Sequence, residues 1–359
     1  MQKNTFLFVI EKLNGGGAER ALSVLASGIA DLGYDVHVLV HTQVKDEYEL
    51  SSSVNVHYDR PFGYKKEKLF PKLKKLYRIR KTIRKINPTY VIPFLNVAIL
   101  HTFIVTRFMK VKFISTIRVN PVYEVGVKAN ICKWIARKAD ALFAQNEIEK
   151  KYYPYRVQRK TFIVANPVNK DIINSKKEYR NDISKIVLLG RLSEQKNYKM
   201  AIRAAKTVFE QKKEITFTIY GEGELESELR QFILSENLEN KVLLAGRTSD
   251  VISVLLDADM YIMTSNFEGM PNSLMEAMAV GLPCISTDCQ CGPSDLINNG
   301  KNGILVSVND SEELAKKILY LINNVDLSKK LGENARKTIC EKYTTEKIAA
   351  QFVYECQKY

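Results

Sequence analysis

The chain has 359 residues, 45% hydrophobic and 26% charged, the balance of a folded globular protein, which excludes a disordered or low-complexity chain. Its net charge of +14 is uneven: residues 1–167 carry 29 Lys+Arg against 13 Asp+Glu (29 − 13 = +16), and the remaining 25 against 27 leave −2, so the halves face different partners. No apolar run reaches the roughly 18 to 20 residues of a membrane span, the Thr5–Ile10 run is too short for a secretory leader, and six cysteines without a C-x-x-C pair or histidine partner give neither a disulfide framework nor a zinc site.

Thr5–Ile10 reads as a buried strand, Ala18–Leu32 as an amphipathic helix and Asp35–Val40 as the next strand. Between the first two lies Asn14-Gly15-Gly16-Gly17-Ala18-Glu19-Arg20, where three glycines let backbone approach a ligand at a helix start or simply make a tight turn. It is neither a G-x-G-x-x-G fingerprint nor a Walker A loop. From Tyr64 to Lys85 there are eleven Lys+Arg and one Glu, with Leu69, Leu73, Leu76, Tyr77 and Ile83 spaced for one helix face. That pattern fits either an anionic membrane surface or a solvated helix on its own sheet. Further strands are expected at Val54–Tyr58, Tyr90–Ile92, Val111–Thr116, Ala141–Ala144 and Thr161–Val164, separated mostly by helix-length segments.

A polar stretch from Asn169 to Ser184 marks the region of a domain junction, after which the alternation restarts at Lys185–Leu189, Ile215–Tyr220, Val242–Leu244, Met260–Thr264, Pro283–Ser286 and Ile304–Val306. The expected fold is α/β, with two Rossmann-like doubly wound domains facing across a cleft and ligand at the C-terminal strand ends. We place the first domain at 1–167 and the second at 168–343, with a C-terminal helix at about 344–359 packing back on the first.

Four second-domain loops fall at the same predicted sheet edge. Gly190 to Asn197 carries Arg191 and Lys196, a guanidinium and an ammonium that suit a diphosphate; Gly221-Glu222-Gly223 and Gly246-Arg247-Thr248 end the next strands. The fourth, Asn266 to Asp288, reads N-F-E-G-M-P-N-S-L-M-E-A-M-A-V-G-L-P-C-I-S-T-D. Pro271 suits the first helical position and Gly281 with Pro283 supplies the stop, giving a helix of about ten residues. The N–H groups of Asn272, Ser273 and Leu274 would make an anion pocket, with Glu268 at its mouth and Glu276 up to about 12 Å away along the helix. Taken alone, two glutamates near a helix start are ordinary dipole partners. Set among the other loops, they frame a long ligand with an anionic centre. Asp257-Ala258-Asp259 has the look of a metal-binding D-x-D, but it precedes its strand rather than coming after it, and we expect no metal there.

The sequence strongly resembles the retaining glycosyltransferase family 4, of the bacterial surface-polysaccharide type, with the two-domain GT-B fold. The resemblance spans the chain and is most specific at Glu268-Gly-Met-Pro-Asn-Ser-Leu-Met-Glu276, the family's E-x7-E motif. It implies that Glu268 contacts donor-sugar hydroxyls and Glu276 the ribose of the nucleotide. It also implies that Arg191 and Lys196 bind the donor diphosphate, with Gly269, Met270, Asn272, Ser273 and Leu274 around it. Gly16, Gly17 and Glu222 are further donor-site candidates, and Arg247 matches a loop position at the base. Where many members carry a histidine near the reacting sugar, this chain reads Ser115-Thr116-Ile117-Arg118-Val119-Asn120-Pro121, so Arg118 becomes the acceptor-side candidate. His37, His41, His57 and His101 match no family site and read as structural or exposed.

The resemblance implies transfer of a hexose or N-acetylhexosamine from a nucleotide diphosphate sugar, UDP first and GDP second, to a lipid-linked or growing polysaccharide acceptor. No cofactor or metal is expected. The enzyme would be cytoplasmic and peripheral at the inner face of the cell membrane, through the basic 64–85 segment. A nucleotide-sugar synthase or phosphorylase on the same fold stays open. A nucleic-acid-binding protein would also be basic, but no recognised module interleaves the charge with aromatics, and a Rossmann dehydrogenase lacks its fingerprint.

Overall fold

The computed structural model describes residues 4–64, 70–118, 121–123 and 125–359. The chain divides into two compact units, one of residues 1–167 with 345–359, the other of 168–344. In unit 1 the strands are β1 (Thr5–Ile10), β2 (Asp35–Thr42), β3 (Val54–Arg60), β4 (Tyr90–Pro93), β5 (Lys112–Thr116), β6 (Ala141–Ala144) and β7 (Thr161–Ile163). They form one sheet in the order β3-β2-β1-β4-β5-β6-β7, every pair parallel.

Parallel strands covered on both faces need continuous apolar runs, and Phe6 to Ile10 at the centre are wholly buried. Helix α1 (Gly17–Asp31) covers one face through Leu22, Leu25 and Ile29. Helix α2 (Pro71–Ile86) buries Ile79 and Ile83, and α3 (Asn96–Thr106) adds Ala98 and Val105 to the same cluster. The chain's last helix, Thr345–Cys356, belongs to this unit: Phe352 packs against Phe8, Phe143 and Phe162 at ring-centroid distances of 6.0, 4.9 and 5.8 Å.

Helix α2 does not carry the single apolar face its sequence spacing predicts. Leu76 and Ile83 turn inward with Ile79, whereas Leu73 and Tyr77 are exposed, and Leu69 lies outside the described residues. Its charge divides likewise. Lys75 is buried with its ammonium 3.3 Å from Glu11, and Arg78 pairs with Asp59 at 2.6 Å. Lys72, Lys74, Lys81, Arg84 and Lys85 are exposed. No described helix is long and apolar enough to cross a membrane.

Unit 2 has β8 (Lys185–Leu189), β9 (Thr216–Tyr220), β10 (Val242–Gly246), β11 (Met260–Met263), β12 (Cys284–Thr287) and β13 (Ile304–Val306), a parallel sheet ordered β10-β9-β8-β11-β12-β13. At the edge where β8 and β11 begin, Asp259 accepts from the backbone N–H of Ser184 and Lys185 and pairs with Lys177 and Arg180, while Asp257 pairs with Arg180 and Lys185. Both carboxylates of the D-x-D sequence are thus engaged by protein cations.

Phe352 is fully buried among three aromatic rings, so Phe352→Ala should cost unit 1 about 3–5 kcal/mol. Denaturant unfolding monitored by probes in each unit should show the unit 1 transition moving earlier, with that of unit 2 in place.

Candidate active site

The loops leaving β8, β9 and β10 interlock through backbone. Gly190 N–H donates to Tyr220 O at 3.0 Å, Leu192 N–H to Glu222 O at 3.0 Å and Gly221 N–H to Gly246 O at 2.8 Å. A Cβ on Gly221 would overlap the Gly190 carbonyl and one on Gly223 that of Leu192, so only glycine permits this crossing. It leaves Arg191, Glu222 and Arg247 exposed on three adjacent loops.

A fourth loop, after β11, is strapped to the first. Asn266 N–H donates to Gln195 O at 2.8 Å, Gln195 Nε2 to Phe267 O at 2.9 Å and the Thr264 hydroxyl to Lys196 O at 2.8 Å. From behind, the Thr287 hydroxyl donates to Ser265 O at 2.6 Å. These bonds fix Glu268 beside Lys196. The ammonium lies 2.6 Å from Glu268 Oε1, the Ser265 hydroxyl donates to the same oxygen at 2.7 Å, and Gln195 Nε2 reaches Oε2 at 3.4 Å. Glu268 is buried, and a buried carboxylate is tolerable only with a cation and hydrogen bonds of this kind.

After Glu268 the chain turns into the Asn272–Val280 helix. Pro271 is its N-cap, at φ −80° and ψ 98°, so the helix starts one residue later than the sequence reading has it. Met275 N–H bonds to Pro271 O at 3.1 Å and no side chain caps the start, which leaves the Ser273 and Leu274 N–H groups without an intrahelical acceptor. The Tyr261 hydroxyl donates to Ser273 Oγ at 2.8 Å and locks that first turn. Gly269 and Met270 form the half-buried turn, with Asn272 at the first helical position. The loop after β12 presses on it: a Cβ on Gly292, at φ +89°, would stand 2.7 Å from Pro271 Cδ and 2.9 Å from Gly269 O. One turn further along the helix, Glu276 is buried.

The arrangement is a carboxylate fixed by a lysine, an uncapped helix start and a second buried carboxylate, bordered by two exposed arginines at the C-terminal ends of parallel strands. Residues 169–338, nearly all of unit 2, match the family described as Glycosyl transferases group 1. An uncharacterized glycosyltransferase of Methanocaldococcus jannaschii is 32% identical over 253 residues, 64% of this chain and 62% of that protein, so the chain spans less than two thirds of it. The α-1,4-N-acetyl-D-galactosaminyltransferase of Campylobacter jejuni, whose name specifies a diphospho-undecaprenol-linked glycan, is 27% identical over 354 residues, 96% of each chain. A mutant S. aureus TarM, solved with fondaparinux, α-GlcNAc-glycerol and UDP, superposes with a TM-score of 0.83 over 98% of this chain and 99% of that one, at 17% identity.

The fold is GT-B. The matches together support a GT-B glycosyltransferase.

Within this GT-B chain the remaining site candidates lie in unit 1. Gly16 is the N-cap of α1 and Gly17 its first residue. Arg118 is sandwiched between Phe94 and Phe143, its guanidinium carbon 4.0 Å from each ring centroid, with Nη1 donating to Asn166 Oδ1 at 3.2 Å. Burial pulls its pKa down to about 9, partly opposed by Glu149. The acceptor-side candidate is thus a buried guanidinium packed between two aromatic rings. All six cysteines are free thiols.

The Lys196–Glu268 pair, together with Ser265 and Gln195, is absent from the sequence reading, which assigned Lys196 to diphosphate alone. Its partners are 72 positions apart, and only the adjacency of β8 and β11 joins them. Lys196→Met should destabilise unit 2 by about 3–5 kcal/mol, because it strands a buried carboxylate. Adding Glu268→Gln should recover much of that loss in chemical denaturation, whereas additive losses would show the two side chains to be uncoupled.

Proposed function

We propose that the chain is a retaining glycosyltransferase that moves a hexose or N-acetylhexosamine from UDP-sugar to a lipid-linked or growing polysaccharide acceptor in surface-glycan synthesis, without a metal. The observation that carries this reading is Glu268, held by Lys196 next to a helix start that no side chain caps, with Glu276 further along the same helix. A nucleotide diphosphate sugar has the matching order of parts: sugar hydroxyls for Glu268, diphosphate at the helix start, ribose for Glu276. The UDP in the TarM structure and the polyprenyl diphosphate glycan in the name of the Campylobacter relative support the choice of donor and acceptor class.

In the transfer, the bond between the anomeric carbon and the leaving diphosphate oxygen breaks. The acceptor hydroxyl attacks the same face, and its proton passes to the departing diphosphate. The charge that grows on that group needs fixed donors. Lys196 spends one N–H on Glu268 and keeps two for the diphosphate, Arg191 brings an exposed guanidinium, and the Ser273 and Leu274 amides add the helix end. Glu268, already accepting from Lys196 and Ser265, serves as an acceptor for sugar hydroxyls rather than as the base.

Exposed Phe70, Leu73 and Tyr77 share α2 and its entry with five exposed Lys and Arg, a surface suited to anionic lipid, where each charge contributes about 1 kcal/mol. We place the enzyme peripherally on the cytoplasmic face by this surface.

A panel of nucleotide sugars with a lipid-linked acceptor should release UDP from one donor. Arg191→Ala should lower kcat by about 10²–10³-fold, the loss expected for one preorganised donor to the leaving group. No nucleotide diphosphate from any donor would end this reading. In liposome flotation the chain should rise with anionic vesicles and stay down with neutral ones; reversing Lys81, Arg84 and Lys85 to Glu should abolish the difference.

A further inference from the structure

We infer that unit 1 contains a binding site for a divalent transition-metal ion of the zinc class, formed by Glu11, His41 and His101. Glu11 lies just past the end of β1, His41 lies on neighbouring β2, and His101 is on α3, which packs against β1. Each offers one ligand atom, and the three atoms lie within 4.8 Å of one another. A tetrahedral zinc site with bonds of about 2.0–2.1 Å needs ligand atoms about 3.4 Å apart, so a side-chain adjustment of roughly an ångström closes the set. The Glu11 side chain is 34% exposed and has room to make it.

The second observation is what these groups lack. His41 is fully buried, yet neither of its ring nitrogens meets a hydrogen-bond partner, and His101 Nδ1 is buried without one as well. The rings stand edge to face at 5.7 Å between centroids, so they do not satisfy each other. Orphaned ring nitrogens on two neighbouring imidazoles are costly unless something binds there, and one nitrogen from each ring can face a shared ion. A metal ion accepts lone pairs from both imidazoles at once, which no single protein donor here does.

The surroundings fit a metal ligand set. The buried Lys75 ammonium is 3.3 Å from Glu11 Oε2 and orients the carboxylate, which has a second oxygen to offer an ion. Lys75 and Arg60 lie close enough to His41 to act on it electrostatically. Two imidazoles and one carboxylate select zinc, cobalt or nickel over magnesium or calcium, which prefer oxygen. The same two cations weaken attraction for a dication, so the site is one of moderate affinity. Binding would staple β1, β2 and α3 together.

The test is titration of the chelator-stripped full chain with Co²⁺, read by visible ligand-field absorption, then displaced with Zn²⁺. The expected result is saturation at one Co²⁺ per chain without the near-ultraviolet charge-transfer band of a thiolate ligand, and a higher unit 1 melting temperature with Zn²⁺. Glu11→Gln and His101→Gln, both at incompletely buried positions, should each weaken Co²⁺ binding by about 100-fold with unchanged circular dichroism. His37→Gln, at the separate His37–His57 pair, should bind as wild type. No saturable Co²⁺ signal, a thiolate band, undiminished binding in both ligand variants, or loss in His37→Gln alone would each overturn the assignment.

Discussion

The loop edge of unit 2 is organised around a buried carboxylate that cannot be left without its cation. Glu268 sits in a turn whose backbone is fixed to two neighbouring loops, and the 2.6 Å contact with Lys196 joins the ends of β8 and β11. A charge pair held this way is weak evidence of stability, since its desolvation offsets most of the attraction. Its value here is positional: Lys196 and Glu268 are held at fixed places before any ligand arrives, so neither has to be ordered at the moment of reaction.

Around that pair the sheet supplies repetition. Each parallel strand of unit 2 ends at the same edge, and each succeeding loop contributes one kind of group: Arg191 after β8, Glu222 after β9, Arg247 after β10, Glu268 and the helix start after β11. Gly221 and Gly223 let these loops lie backbone on backbone. At the opposite edge Asp257 and Asp259 are consumed by Lys177, Arg180 and Lys185, so the carboxylates there brace the sheet, whereas Glu268, on the loop after β11, is held by Lys196.

Much of this was legible in the sequence because parallel strands buried on both faces leave continuous apolar runs, and runs such as Phe6–Ile10 and Lys185–Leu189 fall on β1 and β8. The E-x7-E spacing was legible because Pro271 and Gly281 punctuate the helix between them. What depends on distant parts of the chain was not. The two-sided character of α2 was hidden because Ile79 and Ile83 alternate with Leu73 and Tyr77 around a helix that periodicity alone cannot orient. The packing of Arg118 was hidden because nothing near it in sequence announces Phe94 and Phe143. Glu11, His41 and His101, unremarkable singly, meet only through the pairing of β1 with β2 beneath α3.

A crystal structure of the chain with UDP is the most direct measurement of the donor-site account. It should show the diphosphate on the backbone N–H groups of Ser273 and Leu274 with Arg191 turned onto it, and the ribose hydroxyls on Glu276. UDP bound away from the Asn272–Val280 helix, or with its ribose out of reach of Glu276, would contradict it.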